Sequence, residues 1–390
     1  MSRNRHVIVS ALGVTQILAW GSSFYLPAVL AAPTAADMGW SLPSVVAGLS
    51  CGLLLAGLVS PIVGRLIQNF GGRPVLAGSS LLFASALALM AMASTYLAYL
   101  FAWLLMGLGM ASGLYDAGFA TLGRLYGQGA RSAITTLTLF GGFASTVCWP
   151  VSAFLVENFG WRAACFAYAA VHLFICPPLH LGLVPAPPVL PAPSKVPEPE
   201  NLLPAPATSL RATFALLALI LALSAFLMSV ISVHLLEILQ ARGLDLAVAV
   251  GLGALIGPSQ VGARMVEMFI GRNRHHPKWT MLAASILIAC GVGMLMIYLP
   301  LTTLALILYG AGNGIHTIAR GALPLVIFDP RNYASIMGKL ATPSLVVQAV
   351  APSVGAVLLG FGETVTLGVL LFVALSNVFL VGILAFTTRR

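Results

Sequence analysis

Apolar runs long enough to cross a lipid bilayer recur along this whole chain, and they constrain its fold more than any motif does. A hydrocarbon core about 30 Å thick asks for roughly 20 apolar residues per helix. In the first half such runs occupy residues 6–32, 42–68, 74–93, 97–123, 132–156 and 162–184. In the second they occupy 211–238, 246–270, 279–299, 301–327, 334–359 and 363–386. Within lipid every backbone N–H and C=O must be satisfied by the protein itself, which leaves only helices and closed barrels. The ten-residue alternating segments of a barrel are absent from the sequence. The expected fold is an all-α integral membrane protein of twelve transmembrane helices. Composition agrees, with 59% hydrophobic and only 7% charged residues, outside the balance of water-soluble domains.

Cytoplasmic loops carry an excess of Lys and Arg, so the basic residues predict an orientation. Arg3 and Arg5, Arg65 and Arg73, Arg124 and Arg131, and Lys195 and Arg211 fall on alternate breaks. So do Arg272, Arg274 and Lys278, then Arg331 and Lys339, and finally Arg389 and Arg390. On the other side stand only Arg162, beside Glu157, and Arg242, near Asp245. Both termini are expected in the cytoplasm, with the protein in a bacterial inner (plasma) membrane. The net charge of +9 is then a topology signal; scattered over many loops, it predicts no nucleic-acid partner. The first run is too long, and lacks a small-residue cleavage site, to read as a removable signal peptide. Cys51, Cys148, Cys165, Cys176 and Cys290 all lie in expected helices without C-x-x-C spacing, which reads as apolar packing. No disulfide framework, metal or cofactor is expected.

One break differs from the rest. "VPAPPVLPAPSKVPEPENLLPAPATSL" is too proline-rich for a helix and too short for a domain, so it reads as an extended linker. It predicts a six-helix half over 1–184, a cytoplasmic linker over 185–210 and a second six-helix half over 211–390. The halves also resemble each other: "VGRLIQNFGGR" can be laid on "GARMVEMFIGR", and "GLGMASGLYDAGFATL" on "GAGNGIHTIARGALPL". Repeated halves of this kind build many secondary transporters, with substrate bound between them near the bilayer midplane.

The segment "GRLIQNFGGR", with the helix count and the six-plus-six split, resembles the major facilitator superfamily and its pattern G-x-x-x-D-x-x-G-[RK]-[RK]. Gly64, Gly71 and Arg73 match that pattern; Gln68 stands in place of its Asp and Gly72 in place of its first basic residue. The resemblance implies that Gly64, Gln68, Gly71 and Arg73 latch a cytoplasmic gate, Gln68 hydrogen-bonding more weakly than a carboxylate would. "NFGWRAA", opening helix six, is another shared element. "GWSLPSVVAGLSCGLLLAGLVSPIVGRLI" followed by "FGGRPVL" is similar to the monocarboxylate-transporter branch, which includes oxalate:formate antiporters. That similarity implies a carboxylate contact at Arg264 and puts Gln260 where the proton-coupling Asp would stand. Helix eleven carries Lys339 only at its end and Gln348 nearer its middle, which favours a singly charged substrate over a dicarboxylate.

The polar residues inside the apolar runs also speak for themselves. An ionisable side chain at the centre of a transmembrane helix costs about 2.5–3.5 kcal/mol on insertion scales, so it should face a cavity or a partner. Gln260, Arg264 and Glu267 share one stripe at i, i+4, i+7. One reading has Arg264 offering paired donors to a carboxylate, with Gln260 beside it and Glu267 holding the guanidinium. The other is an Arg264–Glu267 pair at the helix end. Asn313, His316 and Arg320 form a second stripe on helix ten, either lining the cavity or, for Arg320, snorkelling to headgroups. His316 titrates near neutral pH when unperturbed.

Asp116 is the acid deep in the first half, and the repeat sets it one position from the equivalent of Arg320. It is expected to bridge Arg320 across the halves, or to carry a proton. Gln16, Trp20 and Ser23 with Tyr25 are candidates for a polar and aromatic pocket wall, or for helix packing. His234 and Glu237 are candidates for a gate on the far side, or for an interfacial pair.

No P-loop, H-E-x-x-H or G-x-S-x-G motif is present, so no enzyme is expected. The expected function is secondary active transport of a small organic anion, a monocarboxylate, by alternating access with proton symport or exchange. Efflux of drugs or amphiphiles, or a non-transporting receptor or assembly factor, are the alternatives. The expected partners are that anion, protons and membrane lipid, with the protein a monomer.

Overall fold

A computed structural model describes residues 4–186, 207–270, 275–297 and 301–387, and these are helical throughout, with no strand among them. Most of the 185–210 linker, with Lys195 in it, lies outside the described residues, as do Arg3, Arg272, Arg274, Arg389 and Arg390.

The described helices make twelve passes of the bundle. The first pass is α1 (Arg5–Gly21) with α2 (Pro27–Met38), followed by α3 (Leu42–Phe70) and α4 (Gly72–Met92). The fourth is α5 (Tyr96–Gly113) with α6 (Tyr115–Tyr126). The fifth and sixth are α7 (Ala130–Gly142), α8 (Ala144–Phe174) and α9 (Cys176–Leu183). The second half runs α10 (Ala207–Ala241), α11 (Leu246–Gly253) with α12 (Ile256–Ile270), and α13 (Pro277–Ile297). It ends with α14 (Thr302–Ile327), α15 (Tyr333–Gly360) and α16 (Glu363–Thr387).

Among the described residues, eight stretches are long and apolar enough to cross a membrane, one of them the 88 residues Tyr96–Leu183. At 1.5 Å per residue that stretch would run about 130 Å if straight, several bilayer cores. It instead doubles back at the 3-10 turn Gly127–Gly129 and at Gly160, whose φ of 82° and ψ of 163° reverse the chain inside α8. Only glycine adopts that conformation cheaply, which accounts for the glycine of "NFGWRAA". Gly71, at φ 80°, likewise joins α3 to α4 with no intervening loop.

Several expected helices prove discontinuous. The run 6–32 breaks at residues 22–26, 97–123 at Leu114, 132–156 at Phe143 and 246–270 at Ala254–Leu255. Apolar length alone does not register such breaks, and backbone freed in this way is tolerated at membrane depth only where protein surrounds it.

The outer surface is apolar: Phe101, Phe372, Phe379 and Phe386 are each 60% exposed or more. That belt would aggregate in water and is satisfied by hydrocarbon. Inside, two apolar clusters lie chiefly in the first half, one of them extending to Leu325, Tyr333, Ala334 and Met337, and two lie in the second, with Trp103 and Phe83 among the largest fully buried side chains.

The halves meet chiefly through α3 with α15, α6 with α15, α7 with α12 and α7 with α14. These contacts gather toward the face that holds the turns Gly127–Gly129 and Pro330–Asn332, called here the terminal face. At the α3–α15 crossing a Cβ on Gly64 would lie 2.6 Å from the Ala334 carbonyl and 3.0 Å from the Gly338 Cα. Backbone therefore rests directly on backbone. Nearby, the Thr342 hydroxyl donates to the Gly57 carbonyl at 2.8 Å. Gly123 receives the Tyr333 ring and Gly321 the Phe119 ring. The terminal face is closed.

Candidate functional site

Arg264 sits at the α7–α12 contact and is only 4% exposed. Its Nε donates to the Gly314 carbonyl at 3.2 Å, its Nη1 to the Thr138 carbonyl at 3.0 Å and its Nη2 to Gln260 Oε1 at 3.4 Å. Thr138 belongs to the first half, so the guanidinium reaches across the molecule. Gly142 makes the room, since a Cβ there would fall 2.3 Å from Arg264 Nη1. A guanidinium has five N–H donors, and these three acceptors leave one on each Nη free. All three are neutral, and among the described residues no carboxylate lies within ion-pair distance. A buried cation without a counter-ion is costly, and a guanidinium with a donor to spare on each Nη suits a carboxylate.

Glu267 does not hold Arg264, contrary to the stripe reading, and the two do not form the alternative helix-end pair. Helical side chains lean back toward the N-terminus, which carries Arg264 toward Gln260 and away from Glu267. Glu267 instead takes partners at the terminal face: Arg131 at 3.4 Å, the His275 ring at 3.3 Å and the Thr280 hydroxyl at 2.9 Å. Arg131 also donates to the His275 carbonyl at 2.6 Å, and Gln128 to the Leu325 carbonyl at 3.0 Å, both across the halves. These residues border an open cleft of about 410 Å³. Burial, then the charges of Lys278 and Arg131, holds His276 in that cleft below the ordinary histidine range.

Asp116 and Arg320 are joined. Arg320 Nη2 donates to Asp116 Oδ1 at 2.8 Å and Oδ2 at 2.7 Å, with both side chains largely buried. The link runs from α6 in one half to α14 in the other, so Arg320 does not snorkel to the surface. On the same α14 stripe, Asn313 and His316 are buried, and Asn313 Oδ1 and His316 Nε2 have no hydrogen-bond partner among the described residues. Tertiary structure thus leaves two polar atoms of this stripe unsatisfied.

On α1, Gln16 donates to the Gly113 carbonyl at 2.6 Å, the acceptor being freed by the break between α5 and α6. Trp20 donates its indole N–H to Gln16 Oε1 at 3.1 Å. Tyr25 faces Trp20 at a ring separation of 6.1 Å. Ser23 is buried and bonds only back to the Ala19 carbonyl at 2.5 Å, so it adds nothing to a pocket wall.

Of the sequence pattern at the terminal face, Gln68 donates to the Arg331 carbonyl of the other half, and Gly64 lies in the crossing. Gly71 makes the α3–α4 turn. Arg73 is half-buried and forms no ion pair among the described residues. His234 bonds to Glu237 at 3.3 Å and to the Pro352 carbonyl at 2.8 Å. Both partners belong to its own half, so the contact does not bridge the halves.

Sequence reasoning missed Tyr115, Thr138, Arg131 and His275. Tyr115 adjoins Asp116 in "GLYDAG" and was within reach of inspection. Thr138 acts through its carbonyl, which leaves no trace in a sequence.

A family model described as Major Facilitator Superfamily matches residues 12–352. No curated protein matches the sequence. Among solved structures, the human organic anion transporter MFSD10 (TETRAN) is similar with a TM-score of 0.76 at 16% identity, over 97% of this chain and 99% of that one. The major facilitator transporter FucP in its outward conformation gives 0.68 at 11% identity, over 96% and 98%. A variant of the E. coli fucose:proton symporter FucP gives 0.69 at 12% identity, over 98% and 99%. At these identities the likeness is one of fold.

Proposed function

This chain belongs to the Major Facilitator Superfamily, a family of membrane transporters and not of enzymes, and from that premise we propose that it carries a small organic monoanion, a monocarboxylate, by alternating access. The observation that supports this reading most is the buried Arg264, with two free N–H donors and no acidic partner among the described residues. Gln260 fixes the guanidinium, and Asn313 and His316 offer unsatisfied polar atoms on the neighbouring helix. The anion cargo named for the human transporter of like fold points the same way.

In this reading 1–184 and 211–390 rock about the site as a monomer, joined by the 185–210 linker. The alternate-break bias of Lys and Arg puts the terminal face and both termini in the cytoplasm of a bacterial inner membrane. The closed terminal face then represents the outward-facing part of the cycle. Asp116–Arg320 and Arg131–Glu267 are the ionic latches that part when it turns inward, while Gln68 and Gly64 seal the α3 side. With Gln260 in place of an acid, Asp116 is the residue best placed to take a proton when its bridge opens, which supports symport over a purely facilitated path.

Thermal-shift titration of the purified protein tests the anion reading. Small carboxylates should stabilise it and Arg264→Ala should remove that stabilisation; stabilisation by cationic or neutral compounds alone, unaffected by the substitution, would sink it. A carboxylate that binds should then accumulate in vesicles faster under an imposed pH gradient. Uptake indifferent to that gradient would replace symport with exchange.

A further inference from the structure

Resting on the anion reading of Arg264, we propose that the anion carries an aromatic ring, making aromatic monocarboxylates the substrate class. Six rings from separate stretches of chain form a continuous set of contacts, and one of them, Tyr115, reaches the Arg264 site. Trp20 on α1 lies 5.0 Å from Tyr115 on α6, 5.5 Å from Phe24 and 6.1 Å from Tyr25, both in the break after α1. Tyr25 meets Trp149 on α8 at 6.0 Å, and Tyr115 stacks on Phe119 at 5.3 Å.

The arrangement is fixed and partly open. Gln16 pins the Trp20 indole through its N–H, and the Gly113 carbonyl pins Gln16. Trp149 Nε1 donates to the Tyr25 carbonyl at 3.1 Å. Trp20 stands at 50° to Tyr115 and 43° to Tyr25, tilted against both and not stacked. Phe119 is fully buried, whereas Trp20, Phe24, Tyr25 and Tyr115 are only half-buried.

The wall also meets the charge. The Tyr115 hydroxyl and Arg264 Nη1 donate to one atom, the Thr138 carbonyl oxygen, at 3.2 Å and 3.0 Å. A carboxylate held by Arg264 therefore presents its substituent to aromatic faces. A ring there gains edge and face contacts beyond its area, which a saturated ring of equal size does not.

The test is titration of the purified full chain with benzoate, cyclohexanecarboxylate, acetate and benzamide, read by tryptophan fluorescence and thermal shift. Benzoate should bind several-fold, up to about tenfold, more tightly than cyclohexanecarboxylate, and benzamide should bind far more weakly. Trp20→Leu should abolish the preference, and Trp20→Phe should keep it. Equal binding of benzoate and cyclohexanecarboxylate to the unsubstituted protein would overturn the aromatic class while leaving the anion site intact. If no carboxylate binds, or if Arg264→Ala changes nothing, the underlying anion reading falls instead. Should Trp20→Leu fail to fold, the comparison on the unsubstituted protein and on Trp20→Phe still decides.

Discussion

A single guanidinium illustrates what one residue contributes here. Arg264 is useful because its donors are divided: three hold it to carbonyls from two halves and a side-chain amide, and two remain. Lysine has three donors on one nitrogen at the end of a flexible stem and cannot make the same fork. Arg264→Lys should therefore retain folding but lose the charge-assisted second hydrogen bond to substrate. At about 1.5–3 kcal/mol for such a bond, the expected loss in carboxylate affinity is roughly tenfold to a hundredfold, measurable in the same thermal-shift titration. The burial of Arg264 was legible in the sequence because a lone cation in an apolar run is conspicuous. Its surroundings were not, since two of its three partners are backbone oxygens, and Glu267, though on its stripe, leans to Arg131 across the molecule.

Among the elements, the apolar runs located the passes well, because bilayer thickness sets their length whatever their neighbours. The breaks within passes escaped, as Leu114 and Phe143 are as apolar as the helices they interrupt. Gly160 is the exception in which one residue type reports its geometry. With φ at 82° and ψ at 163° and open space around it, Gly160→Ala meets strain and no clash. It should cost about 1–3 kcal/mol, seen as a lower melting temperature in detergent. Gly78, inside α4 with equally open space and no positive φ, is the control: Gly78→Ala should be neutral or stabilising by up to about 1 kcal/mol. Equal melting temperatures for the two variants would show that the reversal at Gly160 is not glycine-dependent.

The molecule as a whole is held closed on one face by two kinds of contact. One is ionic: Asp116 with Arg320, which the internal repeat placed at matching depth, and Arg131 with Glu267, which the sequence did not suggest because each lies in a different half near a turn. Asp116→Asn or Arg320→Gln removes one partner of a largely buried pair, at a cost of about 3–5 kcal/mol to the closed arrangement. Each should impair transport, while the exchanged pair Asp116→Arg with Arg320→Asp should partly recover it. A double variant no better than the worse single one would show that the bridge is not a latch. The other contact is the α3–α15 crossing, where Gly64 and Gly338 meet through backbone alone. Where Gly64 meets Gly338 no side chain intervenes, so that point of the crossing has no rotamers to freeze when it shuts and none to release when it parts. It also carries no charge for dissolved salt to screen. Both ion pairs are largely buried and are screened far less than exposed charges, so concentrated salt should leave the closed face shut, the Gly64–Gly338 contact included.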